Sequence, residues 1–96
     1  MIKHIAAFRL EGQSPEQEAA MLAAIRGLMG KIPELQNLTA GRNISPRDDS
    51  MTHCLVMEFD DMDAMMRYID HPLHVEVVEK HVAPWRKARM IADYEF

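Results

Sequence analysis

Residues 2–17 read IKHIAAFRLEGQSPEQ, and this stretch contains a strand, a break and the start of a helix. Between Ile2 and Leu10 the apolar side chains recur on alternate positions, which is the period of a half-buried strand. Ser14 stands where a helix N-cap is expected, with Pro at the next position and Gln three residues after the cap. The first part of the chain therefore predicts a strand followed by a helix.

The helix that begins after Ser14 is predicted to run to Pro33, because apolar residues recur along it at helical spacing. These residues are Met21, Leu22, Ile25, Leu28, Met29 and Ile32. A second strand is predicted at 35–44, followed by a polar loop at 45–50. A third strand is predicted at 52–59 and a fourth at 88–96, since both segments show strand-like patterns.

Between the third and fourth strands the pattern favours a second helix with a break in it. Asp60 or Asp61 can cap its start. Pro72 disfavours a helical residue before it and can open a new helical segment. The resulting order is β-α-β-β-α-β, which predicts an α+β, ferredoxin-like fold with a four-stranded antiparallel sheet. Residues 1–96 are predicted to form a single domain.

The sheet is predicted to be apolar on both faces. Helices cover one face of such a sheet, yet Ile5, Ala7, Cys54 and Val56 fall on the other face. Apolar surface left in water is unfavourable, and a second copy of the same sheet is the simplest cover for it. We therefore expect a homodimer with the two sheets face to face.

Composition excludes several classes of function. The formal net charge of −4 argues against a nucleic-acid partner, and no segment is apolar over the length of a membrane span. Cys54 is the only cysteine, so neither an intrachain disulfide nor a cysteine-based metal site is expected. The first residues lack the pattern of a secretory signal, so a cytoplasmic location is expected.

Five histidines leave three interpretations open: His4, His53, His71, His74 and His81. Each can be structural, with its ring hydrogen-bonded inside the fold. The last three can bind a transition metal, although no nearby residue completes a ligand set. Alternatively, one histidine is a general base in an apolar pocket, since imidazole titrates near neutral pH.

In the general-base interpretation Tyr68 is a second candidate residue, because its hydroxyl could orient or polarise a substrate carbonyl. Such a set suits enolisation, aldol-type closure or isomerisation of a small compound without a cofactor. No phosphate-binding glycine loop and no nucleophile motif accompanies it.

Four short motifs in a fixed order resemble the stress-responsive A/B barrel (Dabb) family over residues 1–96. They are Lys3-His4, Gly41-Arg42-Asn43, His71-Pro72-Leu73-His74-Val75 and Asp93-Tyr94-Glu95. The resemblance implies a ferredoxin-like domain that pairs with a second copy as a dimeric α/β barrel.

One branch of that family, the olivetolic-acid-cyclase-like polyketide cyclases, is enzymatic and uses no cofactor. The resemblance to it implies that His74 is the general base, that Tyr68 assists it, and that His4 and His53 are polar pocket groups. This chain differs from the cyclases at Met21 and Ile25, where the cyclases carry aromatic pocket residues, so a different substrate is expected. The predicted ligand-binding residues are His4, His53, Ala6, Phe8, Met21, Ile25 and Leu55.

Two functions follow as hypotheses. The first is a cofactor-free lyase, cyclase or isomerase acting on a small apolar or aromatic compound, with no metal. The alternative is a non-enzymatic dimer that acts in a stress response or carries an apolar ligand. Binding of haem, by analogy with other dimeric α/β barrels, is a third and weaker hypothesis.

Overall fold

The computed structural model describes residues 1–96 and contains four strands and three short helices. The elements are β1 (Ile2–Leu10), α1 (Pro15–Arg26), β2 (Asn37–Arg42), β3 (His53–Phe59), α2 (Met62–Ile69), α3 (Pro72–Val77) and β4 (Arg86–Glu95). A π-helical turn (Val78–Val82) continues α3. The strands form one antiparallel sheet in the order β2-β3-β1-β4, so the predicted α+β, ferredoxin-like fold is confirmed.

The first helix begins as predicted but ends earlier. The Ser14 hydroxyl accepts a hydrogen bond from the backbone N–H of Gln17, and the Gln17 side chain accepts one from the backbone of Ser14. The helix ends at Arg26, with Gly27 as its C-cap, so the prediction that it runs to Pro33 is wrong. Tight turns with i to i+3 bonds follow, and they keep Leu28 and Ile32 buried without continuing the helix.

The second helical region is broken where the sequence indicated. Asp61 caps α2 by accepting a hydrogen bond from the backbone of Ala64. The chain then turns at His71, whose Nδ1 accepts from the N–H of Leu73, and Pro72 opens α3. After the break α3 packs against α1 and α2, whereas α2 packs against β3 of the sheet.

The predicted strands are correct in number and shifted at their ends. β2 is shorter than the predicted 35–44, β3 begins one residue later than predicted, and β4 begins at Arg86 rather than at residue 88. The register of β1 against β4 shifts between Arg9 and Leu10, where β4 contains an irregularity. The extra residue in β4 changes which of its side chains share a face on either side of that point.

The core lies between the helices and one face of the sheet. That covered face includes Phe8, Leu55, Met57 and Phe59. On the opposite, open face Ile5 pairs with Val56 and Ala7 pairs with Cys54 across β1 and β3. No helix of the chain combines the length and the apolar character that crossing a membrane requires.

Candidate functional site

A cavity of about 410 Å³ lies between the covered face of the sheet and the second helical region. Its volume is in the range of small-molecule sites. Most of its lining is apolar, and its polar side chains come from β1, α2, α3 and β4. The lining residues are His4, Ala6, Phe8, Leu55, Met57, Met65, Tyr68, Ile69, His74, Val78, Arg86, Arg89, Ile91 and Asp93.

His74 reaches the cavity from the first turn of α3. Its Nδ1 lies 2.8 Å from the carbonyl oxygen of Ile69, which is the last residue of α2 and has a carbonyl free of helical bonding. A carbonyl can only accept, so Nδ1 carries the proton and Nε2 of the neutral ring is unprotonated. Burial lowers the pKa of His74 below its usual value, so the ring is neutral near pH 7. His74 is therefore equipped to accept a proton.

Tyr68 lies beside His74 and is fully buried. The two rings are tilted, with their centroids 4.7 Å apart. The Tyr68 hydroxyl is buried and has no hydrogen-bond partner in the protein. Burial raises the pKa of Tyr68 above its usual range, so this hydroxyl stays protonated. It is a hydrogen-bond donor held in an apolar wall with nothing to donate to.

His4 meets the same cavity from β1 and is held by an acid. Its Nδ1 lies 2.5 Å from Oδ1 of Asp93, which is its direct neighbour on β4. The carboxylate accepts the Nδ1–H, so Nε2 is the ring nitrogen left for a further partner. Only 6% of His4 is exposed, whereas Asp93 is more open.

The first helix contributes less to the site than the sequence predicted. Ile25 lines a separate small cavity of about 30 Å³ that also touches Tyr68 and His74. Met21 lines neither cavity and is fully buried in the core, where its sulfur accepts a hydrogen bond from Gln13. Met21 is therefore a packing residue in this structure.

The structure does not bring His53 into the cavity of His4 and His74. Antiparallel register places His53 opposite Phe8, which is four residues along β1 from His4, or about 13 Å at strand spacing. The Nε2 of His53 instead lies 2.7 Å from Glu18, and its Nδ1 lies 2.7 Å from the hydroxyl of Thr52.

Glu18 connects α1 to two strands at that distant end of the sheet. Its carboxylate accepts hydrogen bonds from Arg42 on β2 and from His53 on β3. The Arg42 guanidinium, followed by His53, holds the pKa of Glu18 below its usual value. A polar cleft of about 330 Å³ adjoins this group, and the group satisfies the buried ring of His53.

The remaining histidines do not assemble into a metal centre. His71 accepts a backbone bond at the start of α3, and the ring of His74 is bonded to Ile69. The structure contains no group of three or more His, Cys, Asp or Glu side chains arranged to hold a metal ion.

Three polar residues of the cavity were not predicted as site residues: Arg86, Arg89 and Asp93. All three lie on β4. Asp93 belongs to one of the short motifs, but its contact with His4 depends on strand register, which the sequence does not reveal. The alternation along β4 was the available signal, but the irregularity near Arg86 obscures it.

Comparison with known proteins gives one family. A family model described as the stress responsive A/B barrel domain matches residues 2–96. An uncharacterized protein of Streptomyces coelicolor is 37% identical, with all of both chains covered. Olivetolic acid cyclase of Cannabis sativa is 23% identical, with 97% of this chain and 94% of the cyclase covered.

Solved structures agree on the fold. A dimeric protein of ferredoxin-like fold from Bacteroides fragilis has a TM-score of 0.83 and 31% identity, covering 99% of this chain and 95% of the other. A Dabb family protein from Mesorhizobium loti has a TM-score of 0.84 and 30% identity, with the same coverage. Hydroxynitrile lyase of Passiflora edulis has a TM-score of 0.84 and 21% identity over 97% of this chain and 90% of the lyase, which shows the fold alone.

Proposed function

The chain belongs to the stress responsive A/B barrel domain (Dabb) family, and we propose that it is a homodimeric, cofactor-free enzyme that moves a proton on a small apolar carbonyl compound. Each subunit holds one cavity, with His74 as the general base and Tyr68 as the hydrogen-bond donor. The reaction class is a lyase, cyclase or isomerase step that begins with enolisation.

The observation that carries this proposal is the pairing of Tyr68 with His74. A buried hydroxyl without a partner costs free energy, so its presence in a cavity wall favours a ligand that completes it. Beside it stands a half-buried imidazole whose unprotonated nitrogen is Nε2. A donor and a base on one apolar cavity are the two groups that enolisation requires.

In the proposed step, Nε2 of His74 takes a proton from the carbon next to a substrate carbonyl. The electron pair of that C–H bond moves into a carbon–carbon double bond, and the carbonyl oxygen becomes an enolate oxygen. The Tyr68 hydroxyl donates a hydrogen bond to this oxygen as its charge develops. Where the enolate is conjugated with a second double bond, return of the proton from His74 to the far carbon completes an isomerisation. Where the enolate carbon attacks a second carbonyl, a ring closes and the alkoxide formed there takes the proton back from His74.

His4 and Asp93 extend this set. Asp93 holds the ring of His4 through Nδ1, and this leaves the other nitrogen for a second polar atom of the ligand. The relative named olivetolic acid cyclase is by its name a ring-forming enzyme, which supports the reaction class without identifying a substrate.

The homodimer is proposed from the open face of the sheet. Ile5, Val56 and Met90 lie on that face together with Cys54, and no helix of the same chain covers them. The relative from Bacteroides fragilis is described as dimeric and has the same fold. Pairing of two such faces would remove this apolar surface from water.

Exchange of carbon-bound protons for deuterium tests the function without knowledge of the natural substrate. Benzoylacetone, an apolar compound with two carbonyls, is incubated with the protein in D₂O, and exchange at the carbon between the carbonyls is followed by NMR. We expect the protein to accelerate exchange, and His74→Ala to remove most of the acceleration. His81→Ala is the matched control, because His81 does not line the cavity. Equal acceleration by His74→Ala and wild type would contradict the proposed base.

The alternative is a carrier of an apolar ligand, which the same cavity would serve. A carrier predicts that benzoylacetone binds, that exchange is not accelerated, and that binding survives His74→Ala. Measurement of binding by titration calorimetry beside the exchange experiment therefore separates the two functions.

A further inference from the structure

Arg86 and Arg89 line the cavity from the edge strand β4. From these two residues we infer that the natural ligand of the proposed site carries a carboxylate, which lies at the Arg86–Arg89 end of the cavity. The inference rests on the proposed function, because it concerns the substrate of the same site.

The two arginines lack partners within the chain. Arg9, Arg42 and Arg67 each form an ion pair with a glutamate. Neither Arg86 nor Arg89 takes part in any of the ion pairs or side-chain hydrogen bonds of the structure. Two unpaired guanidinium groups beside one apolar cavity make that end of it positively charged, and a guanidinium binds a carboxylate through two parallel hydrogen bonds.

The arrangement along β4 gives the ligand a direction. Asp93 lies beside His4, Ile91 beside Ala6, and Arg89 beside Phe8. Asp93 and Arg89 are four residues apart, or about 13 Å at strand spacing. Over this distance the wall of the cavity changes from a carboxylate, through apolar side chains, to the guanidinium of Arg89, and Arg86 lies beyond it. An anionic group on the ligand is repelled at the Asp93 end and attracted at the other end.

His4 and its partner Asp93 lie at the far end of this wall from the arginines. His4 is tied to Asp93, and the unpartnered hydroxyl of Tyr68 supplies an independent sign that a polar ligand atom belongs in the cavity. An apolar or aromatic compound with a carbonyl at one end and a carboxylate at the other fits this polarity. The substrate class is thus a keto acid or an aromatic acid rather than a neutral ketone.

The test compares two compounds of nearly the same shape and different charge. They are 1-naphthaleneacetate and its neutral amide, 1-naphthaleneacetamide, and their binding to the full chain is measured by titration calorimetry near pH 7. We expect the carboxylate to bind roughly tenfold or more tightly than the amide, as charge-assisted hydrogen bonds imply. The double variant Arg86→Gln/Arg89→Gln should reduce this preference to near one, by weakening the carboxylate much more than the amide.

Arg47→Gln is the control for loss of a positive charge elsewhere, because it removes one guanidinium, as each single arginine substitution does, from a loop outside the cavity. It should leave the preference for the carboxylate intact. Thermal melting of all variants checks that each is folded. If the two compounds bind equally to the wild type, or if the double variant weakens both by the same factor, the inference is overturned.

The outcomes also distinguish this inference from the proposed function. Binding of the amide without any preference for the carboxylate removes the inference and leaves the apolar cavity as a ligand site. If the wild type binds neither compound, the result counts against both the inference and the proposed function. Single variants at Arg86 and Arg89 then show which guanidinium carries the preference.

Discussion

The imidazole of His4 is bonded to the carboxylate of Asp93, with Nδ1 and Oδ1 2.5 Å apart, and this bond joins β1 to the edge strand β4. The two residues are far apart in sequence and directly opposite in the sheet. Because His4 is almost fully buried, its N–H depends on this one acceptor.

Replacement of Asp93 by Ala should lower the free energy of unfolding by about 1–3 kcal/mol, because it leaves a buried donor without a partner. Urea unfolding near pH 7 measures the change. Asp60→Ala removes the same group from an exposed position and should change stability little. Equal effects of the two substitutions would mean that the bond to His4 contributes nothing to the fold.

Tyr68→Phe should separate stability from function. The substitution removes a buried hydroxyl that has no partner, so the free energy of unfolding should stay the same or rise by about 1 kcal/mol. The proposed exchange of benzoylacetone protons should nevertheless fall by roughly tenfold or more, since the enolate loses its donor. Tyr94→Phe, at an exposed tyrosine on β4, is the control for both measurements. A clear loss of stability in Tyr68→Phe would show that the hydroxyl has a structural partner.

Much of the fold was predictable because its signals are local. The alternation over Ile2–Leu10 and the Ser14 cap act through neighbouring residues, and both predictions are confirmed. The end of α1 was not predictable in the same way. Leu28 and Ile32 continue the helical spacing, yet they lie in the turns that follow Gly27 and are buried there. The apolar spacing therefore marks buried residues in this segment without marking a helix.

The site was less predictable, because it depends on register. His4 and His53 both face the helices, as their alternation indicated, but antiparallel pairing places them toward opposite ends of the covered face. The partners Asp93 and Glu18 are selected by the same long-range pairing and by helix placement. No spacing within one strand carries that information.

His74 should make stability depend on pH on the acid side of neutrality. Its pKa lies below the usual 6.5 in the folded chain, mainly through burial, so the unfolded chain takes up a proton first as the pH falls. The contribution of His74 to stability is therefore complete above pH 6.5 and decreases as the pH falls toward the folded pKa. Urea unfolding at several pH values should show a smaller slope in this range for His74→Gln.

His81→Gln is the control for this titration and should keep the slope of the wild type. Gln at position 74 can still donate a hydrogen bond to the carbonyl of Ile69, so the substitution removes the titration while retaining a donor. If His74→Gln keeps the pH dependence of stability seen in the wild type, His74 is not the group that causes it.

Glu18→Gln should weaken the connection between α1 and the sheet. The carboxylate accepts from Arg42 and His53, and its lowered pKa shows that both favour the charged form. We expect a loss of about 1–2 kcal/mol near pH 7, since part of this charge network is exposed to solvent. The loss should disappear as the pH falls below 4.5 and through the folded pKa of Glu18. Glu16→Gln, in the same first turn but exposed, should show little change at either pH.

Val56→Glu should dissociate the proposed dimer. Val56 lies on the middle strand pair of the open face, opposite Ile5, so a carboxylate there would be buried between two sheets without a partner. Light scattering after size exclusion should give the mass of two chains for the wild type and of one chain for the variant. Ile44→Glu adds the same charge at a loop residue that is 90% exposed, and it should remain dimeric. Because the cavity lies on the other side of the sheet, a folded Val56→Glu monomer should still bind 1-naphthaleneacetate. A monomeric wild type would instead show that the open face meets solvent and that its apolar pairs across β1 and β3 do not form a subunit interface.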